Sequence, residues 1–501
     1  MGDPRAELST LTGGGDATPI LTALDSVDLV IEAPAERTRS REDQVALYNL
    51  VSSAARLFPH IDLRLEAGVP ADLAPFAAGD LVDELRALHV DLAFAPTAQP
   101  THRFHLAWGM NPTGDGLAGD ASGWSYSVGP EQRPLTRYGG PAVGAVAASS
   151  FLVAQTFGRV LTAAGIGLAF HPTPGFTANL LDYTLAEAPK VDVEAGTTLG
   201  PTAFLGAGSV GSSAVYAALL ATIGGGPLDL VDPDRFRDRN MLRYPVLRSA
   251  VTDVKVAWLA ELARSSPLDI EPHEGDIQGF LEKFPEPPTI LLAAVSVDTP
   301  EGRRDATDVL ARTTLNAGVA GMQLHVARDG FTDGACAYCQ YVDEQPTLSG
   351  SQMLAEMIGL PVERVIAIQQ LEGSVVAAAD AEKMAASGKF RGEPPRAGER
   401  LQDVVRRIYA QAAVPTDTGL VLISTPYVSA MAGLLLLTEA LKEGDPRLHL
   451  YRLKGRYDLD MSGEPPPFTQ ATVRDPSGRC LCYSQFRRGA YRRLHGLATR
   501  L

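Results

Sequence analysis

The chain has 501 residues, 45% hydrophobic and 21% charged, a composition that excludes a disordered or fibrous chain and predicts two or three globular domains. Its net charge of −15 argues against non-specific nucleic-acid binding, which needs Lys and Arg to neutralise phosphates. No apolar run reaches the ~20 residues of a membrane span, and the opening MGDPRAELSTL has no basic segment followed by an apolar core. A cytoplasmic protein without a membrane or nucleic-acid partner is therefore expected.

Residues 1–20 are rich in Gly, Asp and Thr and are expected to be flexible. An α/β pattern follows, with a strand at 26–33, a helix at 42–57, a strand at 61–65, a helix at 81–88 and a strand at 90–94. Residues 106–140 are rich in Gly and Trp and are expected as loops and strands over a sheet edge. Gly114, Gly116 and Gly119 have phosphate-loop spacing but do not join a strand to a helix, so that reading is set aside. A long helix of small and apolar residues is expected at 141–164.

The most informative stretch is 201–255. An apolar run at 203–205 leads into Gly206, Gly208 and Gly211, then a helical run at 212–220, then an apolar run at 228–231 ending on Asp232. This is strand–turn–helix–strand with G-x-G-x-x-G in the first turn. The glycines allow a tight turn, close approach of a nucleotide and helix–sheet packing, while the helix N-terminus favours phosphate. By itself the unit fits an NAD(P)-dependent oxidoreductase as well as any other nucleotide enzyme.

After Asp232 the chain continues PDRFRDRNMLRY, with Lys255 in DVK. This resembles the E1-like (ThiF/MoeB/ubiquitin-activating) adenylyltransferase superfamily. The match places Asp232, Asp234, Asn240, Arg243 and Lys255 on the superfamily's Asp-x-Asp, Asn, Arg and Lys, with Met241 and Tyr244 replacing its Leu and Gln. The resemblance implies a Rossmann-like adenylation domain that binds ATP with Mg²⁺. It implies that Asp232 holds the ribose while Asn240, Arg243 and Lys255 engage phosphates. Arg235, Arg237 and Arg239 are accessory in this reading. It further implies a homodimer or an internal pseudodimer, with residues 21–190 as an inactive adenylation half and 191–501 as the active domain.

A helix is expected at 256–263, a strand at 268–272 and a buried parallel strand at 289–297. That last strand ends on Asp298, where the superfamily has an Asp serving Mg–ATP chemistry; Thr299 replaces its following Asn, and Arg303 follows. A helical insertion is expected at about 345–412, with helices at 362–371 and 401–410. Residues 423–442 resemble the superfamily's late strand–turn–helix, and strands are expected at 448–454 and 470–474. Simple homodimeric members carry an arginine just before the glycine turn, but 176–200 contains none.

The four cysteines fall as two close pairs, Cys336/Cys339 and Cys480/Cys482, which in a reducing compartment suggests a metal site before disulfides. The resemblance implies structural Zn²⁺ here, although the second pair is Cys-x-Cys where the superfamily has Cys-x-x-Cys. If all four bind metal, none remains to form a thioester. The implied function is ATP-dependent activation of the C-terminal carboxylate of a ubiquitin-like or sulfur-carrier protein, or of a ribosomal peptide, with transfer to an external nucleophile. A non-catalytic E1-like peptide-binding scaffold is the other alternative beside the oxidoreductase.

Overall fold

The computed structural model describes residues 5, 8, 17–96, 98–166, 170, 172–191, 198–332, 334–342, 355, 358–370, 375–387, 395–401, 404 and 425–497. Most of 1–20, most of 401–410 and the strand expected before 425 lie outside these. The chain divides into two compact units, one of Met1–Ala6, Thr18–Val342 and Ser424–Leu501, the other of Glu7–Ala17 and Asp343–Ile423.

The large unit begins with α1 (Thr18–Asp25), β1 (Val27–Glu32), α2 (Ala35–Thr38), α3 (Arg41–Ala55), β2 (His60–Arg64) and α4 (Leu81–Leu92). It continues through β3 (His102–Trp108), β4 (Gly116–Ser122), β5 (Ser125–Gly129), α5 (Val143–Ala163) and β6 (Phe176–Asn179). These strands form a six-stranded sheet in the order β2-β1-β3-β4-β5-β6, with β2, β1, β3 and β4 parallel and the last two pairings antiparallel.

Two expectations fail in this sheet. The strand expected at 90–94 is instead the end of α4, because Leu85, Leu88 and Leu92 recur at helical spacing and are buried while Val90 is 76% exposed. The Gly- and Trp-rich stretch does not lie over a sheet edge. It supplies β4 and β5, both fully buried and interior to the sheet. Small residues are needed there because α5 packs directly on β4, and Gly119 faces Leu152 and Trp108.

The second sheet starts with β7 (Thr202–Leu205), α6 (Ser209–Leu220), β8 (Gly225–Asp232), α7 (Lys255–Ala263), β9 (Leu268–Glu274), α8 (Ile277–Leu281) and β10 (Leu292–Val295). After α9 (Pro300–Ala306) come β11 (Thr313–Ala320) and β12 (Gln323–Asp329). Its order is β13-β12-β11-β10-β7-β8-β9, with β11/β12 and β12/β13 antiparallel and the rest parallel, where β13 is Arg456–Asp460.

In the small unit, α10 (Val362–Gln370) and α11 (Ala378–Ala386) share an apolar cluster of Ile358, Val365, Ile368, Val376 and Met384. Arg364 and Asp380 join them through paired hydrogen bonds of 2.8 and 2.7 Å.

The chain returns to the large unit with α12 (Pro426–Gly444) and ends with α13 (Gln485–Leu494). The strand expected at 448–454 is a 3-10 turn over Pro446–Tyr451, started by Pro446 and capped by Asp445. Of the strand expected at 470–474, only Gln470 pairs, as a single bridge to Arg456.

Leaving β9 aside, β8-β7-β10-β11-β12-β13 repeats the order and directions of β2-β1-β3-β4-β5-β6. Helix α3 follows β1 as α6 follows β7, and α5 lies between β5 and β6 in sequence as α12 lies between β12 and β13. Helices α3, α5, α12 and α6 pack in that succession. Gly433 of α12 lets it approach α6, since a Cβ there would meet the Ala214 nitrogen at 2.4 Å. Among described residues α5 is the one helix long and apolar enough to cross a membrane, and 89% of that stretch is buried inside the protein. Burying Phe151, Leu152, Val153 and Phe157, each 0% exposed, contributes roughly 1.5–3 kcal/mol per side chain.

Candidate active site

β7 ends in the glycine turn at the carboxyl edge of the parallel strands, where open α/β sheets bind ligands. Gly206 has φ +103°, and a Cβ on Gly211 would lie 2.0 Å from the Gly206 carbonyl. Gly208 caps α6 and faces a cavity, so the first turn of that helix presents its free N–H groups there. Behind the turn, the Ser296 hydroxyl donates to the Gly206 carbonyl at 2.8 Å.

Asp232 closes β8 and is tied to the turn: its Oδ2 accepts from the Ala207 nitrogen at 2.7 Å and its Oδ1 from the Asp234 nitrogen at 2.8 Å. Lys255, the first residue of α7, places Nζ 3.5 Å from Asp232 and 3.0 Å from Asp234. Burial lowers the Lys255 pKa, but Tyr244, Asp232 and Asp234 together hold it above its ordinary value. Tyr244, in place of the expected Gln, sits under that ammonium, which is 5.9 Å from its ring centroid. Asn240 accepts from the Arg237 nitrogen at 2.7 Å, fixing the turn that carries Arg243.

At the end of β10, Thr299 rather than Asp298 caps α9, accepting from the Gly302 nitrogen at 3.0 Å. Asp298 is left facing the cavity. Arg303 is buried and serves the wall: it donates to the Asn316 side chain and the Ala317 carbonyl, and it lies 4.8 Å from the Tyr341 ring centroid.

These groups meet in one cavity of about 1200 Å³. Gly206, Gly208, Asp232, Asp234, Asn240, Arg243, Lys255 and Asp298 all line it, while Gly211 lies behind the turn. Arg235 and Arg237 line it too, and the side chain of Arg239 is outside the described residues.

Several contributors were not legible beforehand. Arg456 of β13 and His325 of β12 enter from strands more than a hundred residues apart in sequence, and no local signal marks them. Arg56, the C-cap of α3, is fully buried and donates to the carbonyls of Met241, Pro245 and Leu247, so the end of the first sheet's helix holds the segment bearing Asn240 and Arg243. Arg56→Leu should destabilise the protein by about 3 kcal/mol, read by urea unfolding, because those buried carbonyls lose their donor.

His325 should set part of the acid stability. Burial, with Arg456 and Arg303 nearby, depresses its pKa to about 3. Below its unfolded pKa near 6.5 the unfolded chain binds a proton that the folded chain refuses until about pH 3, so stability falls as pH drops through that window. His325→Asn should remove about 2 kcal/mol of the loss between pH 7 and pH 5, measured by unfolding at both values.

Away from the cavity, Cys336, Cys339, Cys480 and Cys482 are buried and unbridged, with ligand atoms all within 4.8 Å of one another. The sulfur separations are 3.8 Å (Cys336–Cys339), 3.4 Å (Cys336–Cys480), 3.6 Å (Cys339–Cys480) and 3.5 Å (Cys339–Cys482). Four thiolates at about 2.3 Å from a tetrahedral zinc would stand about 3.8 Å apart, whereas a disulfide needs about 2.05 Å, so the donor set fits a structural metal. The shorter Cys-x-Cys pair reaches because Leu481–Tyr483 turns as a 3-10 helix after Cys480.

Residues 28–167 match the family model of the BilD N-terminal domain. A Sinorhizobium fredii (strain NBRC 101917 / NGR234) protein, uncharacterized protein y4jF, is 28% identical over 376 residues, covering 70% of this chain and 69% of that one. Among solved structures, E. coli MccB with MccA is similar at a TM-score of 0.34 and 15% identity, over 57% of this chain and 67% of that one. The microcin C7 biosynthetic enzyme MccB with N-formylated MccA gives 0.33 and 17%, over 57% and 68%.

Proposed function

We propose that this chain is an E1-like, ATP-dependent adenylating enzyme. In this reading it activates the C-terminal carboxylate of a peptide, ubiquitin-like protein or sulfur-carrier protein, and passes the acyl group to an external nucleophile in a reducing, cytoplasmic setting. The observation that carries it is the meeting of the glycine turn, Asp232, Asn240, Arg243, Lys255 and Asp298 in one cavity.

The chemical difficulty is electrostatic, since an anion must attack a polyanion. The α6 N-terminus and Gly208 receive phosphate oxygens, and Lys255 and Arg243 supply fixed positive charge. Asp232 keeps free lone pairs beside the two bonds it accepts, enough to take a ribose hydroxyl. Asp298, uncommitted to the α9 cap, is the residue that would hold Mg²⁺, whose charge would screen the triphosphate. The substrate carboxylate oxygen bonds to the α-phosphorus as the bond to the β-phosphate oxygen breaks. Pyrophosphate leaves, and the external nucleophile then attacks the acyl carbon and expels AMP. The four cysteines would hold Zn²⁺ and leave no thiol of the chain for a thioester.

In this reading the first sheet is a silent half. Where the second sheet has its glycine turn, the first has Arg37 paired with Asp120 and Asp43, and Arg137 paired with Asp120 and Glu42. Burial raises the Glu42 pKa to about 7, so a triphosphate would face carboxyl groups there. Calorimetric titration should therefore give one ATP per chain, and two sites would overturn the silent half. The function itself is tested by ATP–pyrophosphate exchange: substrate-dependent exchange supports it, whereas binding of NADH but not ATP would favour the oxidoreductase.

A further inference from the structure

The last helix, α13, carries positive charge that its surroundings do not answer. Residues 476–497 hold Arg479, Arg487, Arg488, Arg492 and Arg493 and no Asp or Glu, in a chain whose net charge is −15. Arg487 pairs with Asp308. Among the described residues Arg488, Arg492 and Arg493 meet no carboxylate, and the buried Nε of Arg488 has no hydrogen-bond partner. Arg488 and Arg492 stand four residues apart, where like charges repel, and Arg487 and Arg488 lie in the first turn, where the helix dipole favours acids. Both placements disfavour the helix by itself.

One face of α13 is inward. Tyr491 packs with Phe331 on the cysteine cluster and donates to the Arg312 carbonyl at 3.0 Å, and His495 lies 2.8 Å from the Leu310 carbonyl. At helical spacing the opposite face is Phe486, Gly489, Arg492 and Arg493. Phe486 is 80% exposed. Gly489 stands inside the helix, where glycine lowers stability, and among the described residues a Cβ there would meet only the Arg493 guanidinium, at an ordinary 3.6 Å. No neighbour within the chain therefore calls for glycine at 489. Its effect is a notch between an exposed ring and two guanidiniums. Arg312 precedes β11, which runs parallel to β10 and β7, so α13 lies at the end of these strands opposite the glycine turn and the cavity.

Independently of the adenylation reading, we propose that the outward face of α13 is a docking surface for an acidic amphipathic helix of a partner protein. Charge and shape select this occupant. A helix crossing Gly489 brings its backbone close and seats an apolar side chain against Phe486. Its Asp or Glu residues, spaced four apart, meet Arg488 and Arg492, which are about 6 Å apart along the axis. Aromatic and Arg side chains are also the types that concentrate at protein interfaces. Nucleic acid or an anionic membrane extends its charge beyond the ~8 Å screening distance and so meets the negative chain as a whole, whereas a short acidic helix meets the local cations.

The test is fluorescence anisotropy of the full chain with a labelled peptide of about 18 residues, long enough to form a helix, in which Glu and Leu each repeat every four residues in alanine. A Lys-for-Glu version, a DNA duplex and phosphatidylserine vesicles are measured beside it. The Glu peptide should bind at least about tenfold more tightly than the Lys peptide, and Arg492→Glu with Arg493→Glu should weaken it at least about tenfold. Gly489→Leu should weaken it to a similar extent while raising the unfolding temperature, which separates loss of the notch from loss of the helix. No binding of the Glu peptide, equal affinity for the Lys peptide, unchanged affinity in the variants, or tighter binding of the duplex or the vesicles overturns the proposal.

Discussion

Asp298→Ala and Lys255→Ala should each lower ATP–pyrophosphate exchange by at least about a hundredfold while the circular dichroism spectrum is kept, the scale on which single preorganised charge-stabilising groups act. The two variants should fail differently. Asp298 is exposed in the cavity and is not the cap of α9, so removing it should change stability by about 0.5 kcal/mol or less. Its loss should appear mainly in the exchange rate, with nucleotide affinity less affected. Lys255 stands between Asp232 and Asp234, and without its ammonium those carboxylates face each other and any incoming phosphate. Lys255→Ala should therefore lose ATP affinity as well as exchange. Exchange within threefold of wild type in both variants would sink the site assignment and leave the peptide-binding scaffold as the better reading.

Cys480→Ser should have the largest effect on stability. The wild-type chain should carry about one zinc and show no fast-reacting thiol under native conditions, and the variant should lose the metal. Structural zinc contributes apparent binding energies of about 10–16 kcal/mol in small zinc domains, so even a fraction of this is several kcal/mol. The cluster also organises nearby structure. Phe331 and Tyr491 pack on the cysteines, and the Tyr491 hydroxyl donates to the Arg312 carbonyl at 3.0 Å. The residues after Cys339 reach the cavity, where Gln340 accepts from Arg456 and Tyr341 underlies Arg303. Loss of metal should thus weaken exchange as well as lower the melting temperature. A chain without zinc but with one fast thiol would reverse the assignment and make a cysteine the acyl acceptor.

The local code was legible where one short segment contains its own instruction. The β7–α6 turn, Asp232 at the end of β8 and Lys255 at the start of α7 followed from glycine spacing and apolar runs, because turn geometry and strand ends are short-range properties. The same reasoning misplaced the strands of 106–140, which were expected over a sheet edge: β4 is interior, and Gly119 makes room for Leu152 of α5, which is a property of the neighbour. It also misplaced the last strand, since β13 is defined by pairing with β12, and the segment expected at 448–454 has no partner.

The sequence alone determined the glycine turn, the Asp and Lys positions that follow it, the grouping of the cysteines into two close sets and the alternation of strands and helices. Each of these rests on contacts within a few tens of residues. Only the tertiary structure decided that the two sheets repeat one strand order, that Arg56 at the end of one sheet's helix holds the motif segment of the other, and that the two cysteine pairs converge. It also brought Arg456, His325 and the acids of β13 to the cavity. Those arrangements depend on strand register and helix packing between distant segments, and such pairings leave no periodic trace in the chain because every partner lies far away in sequence.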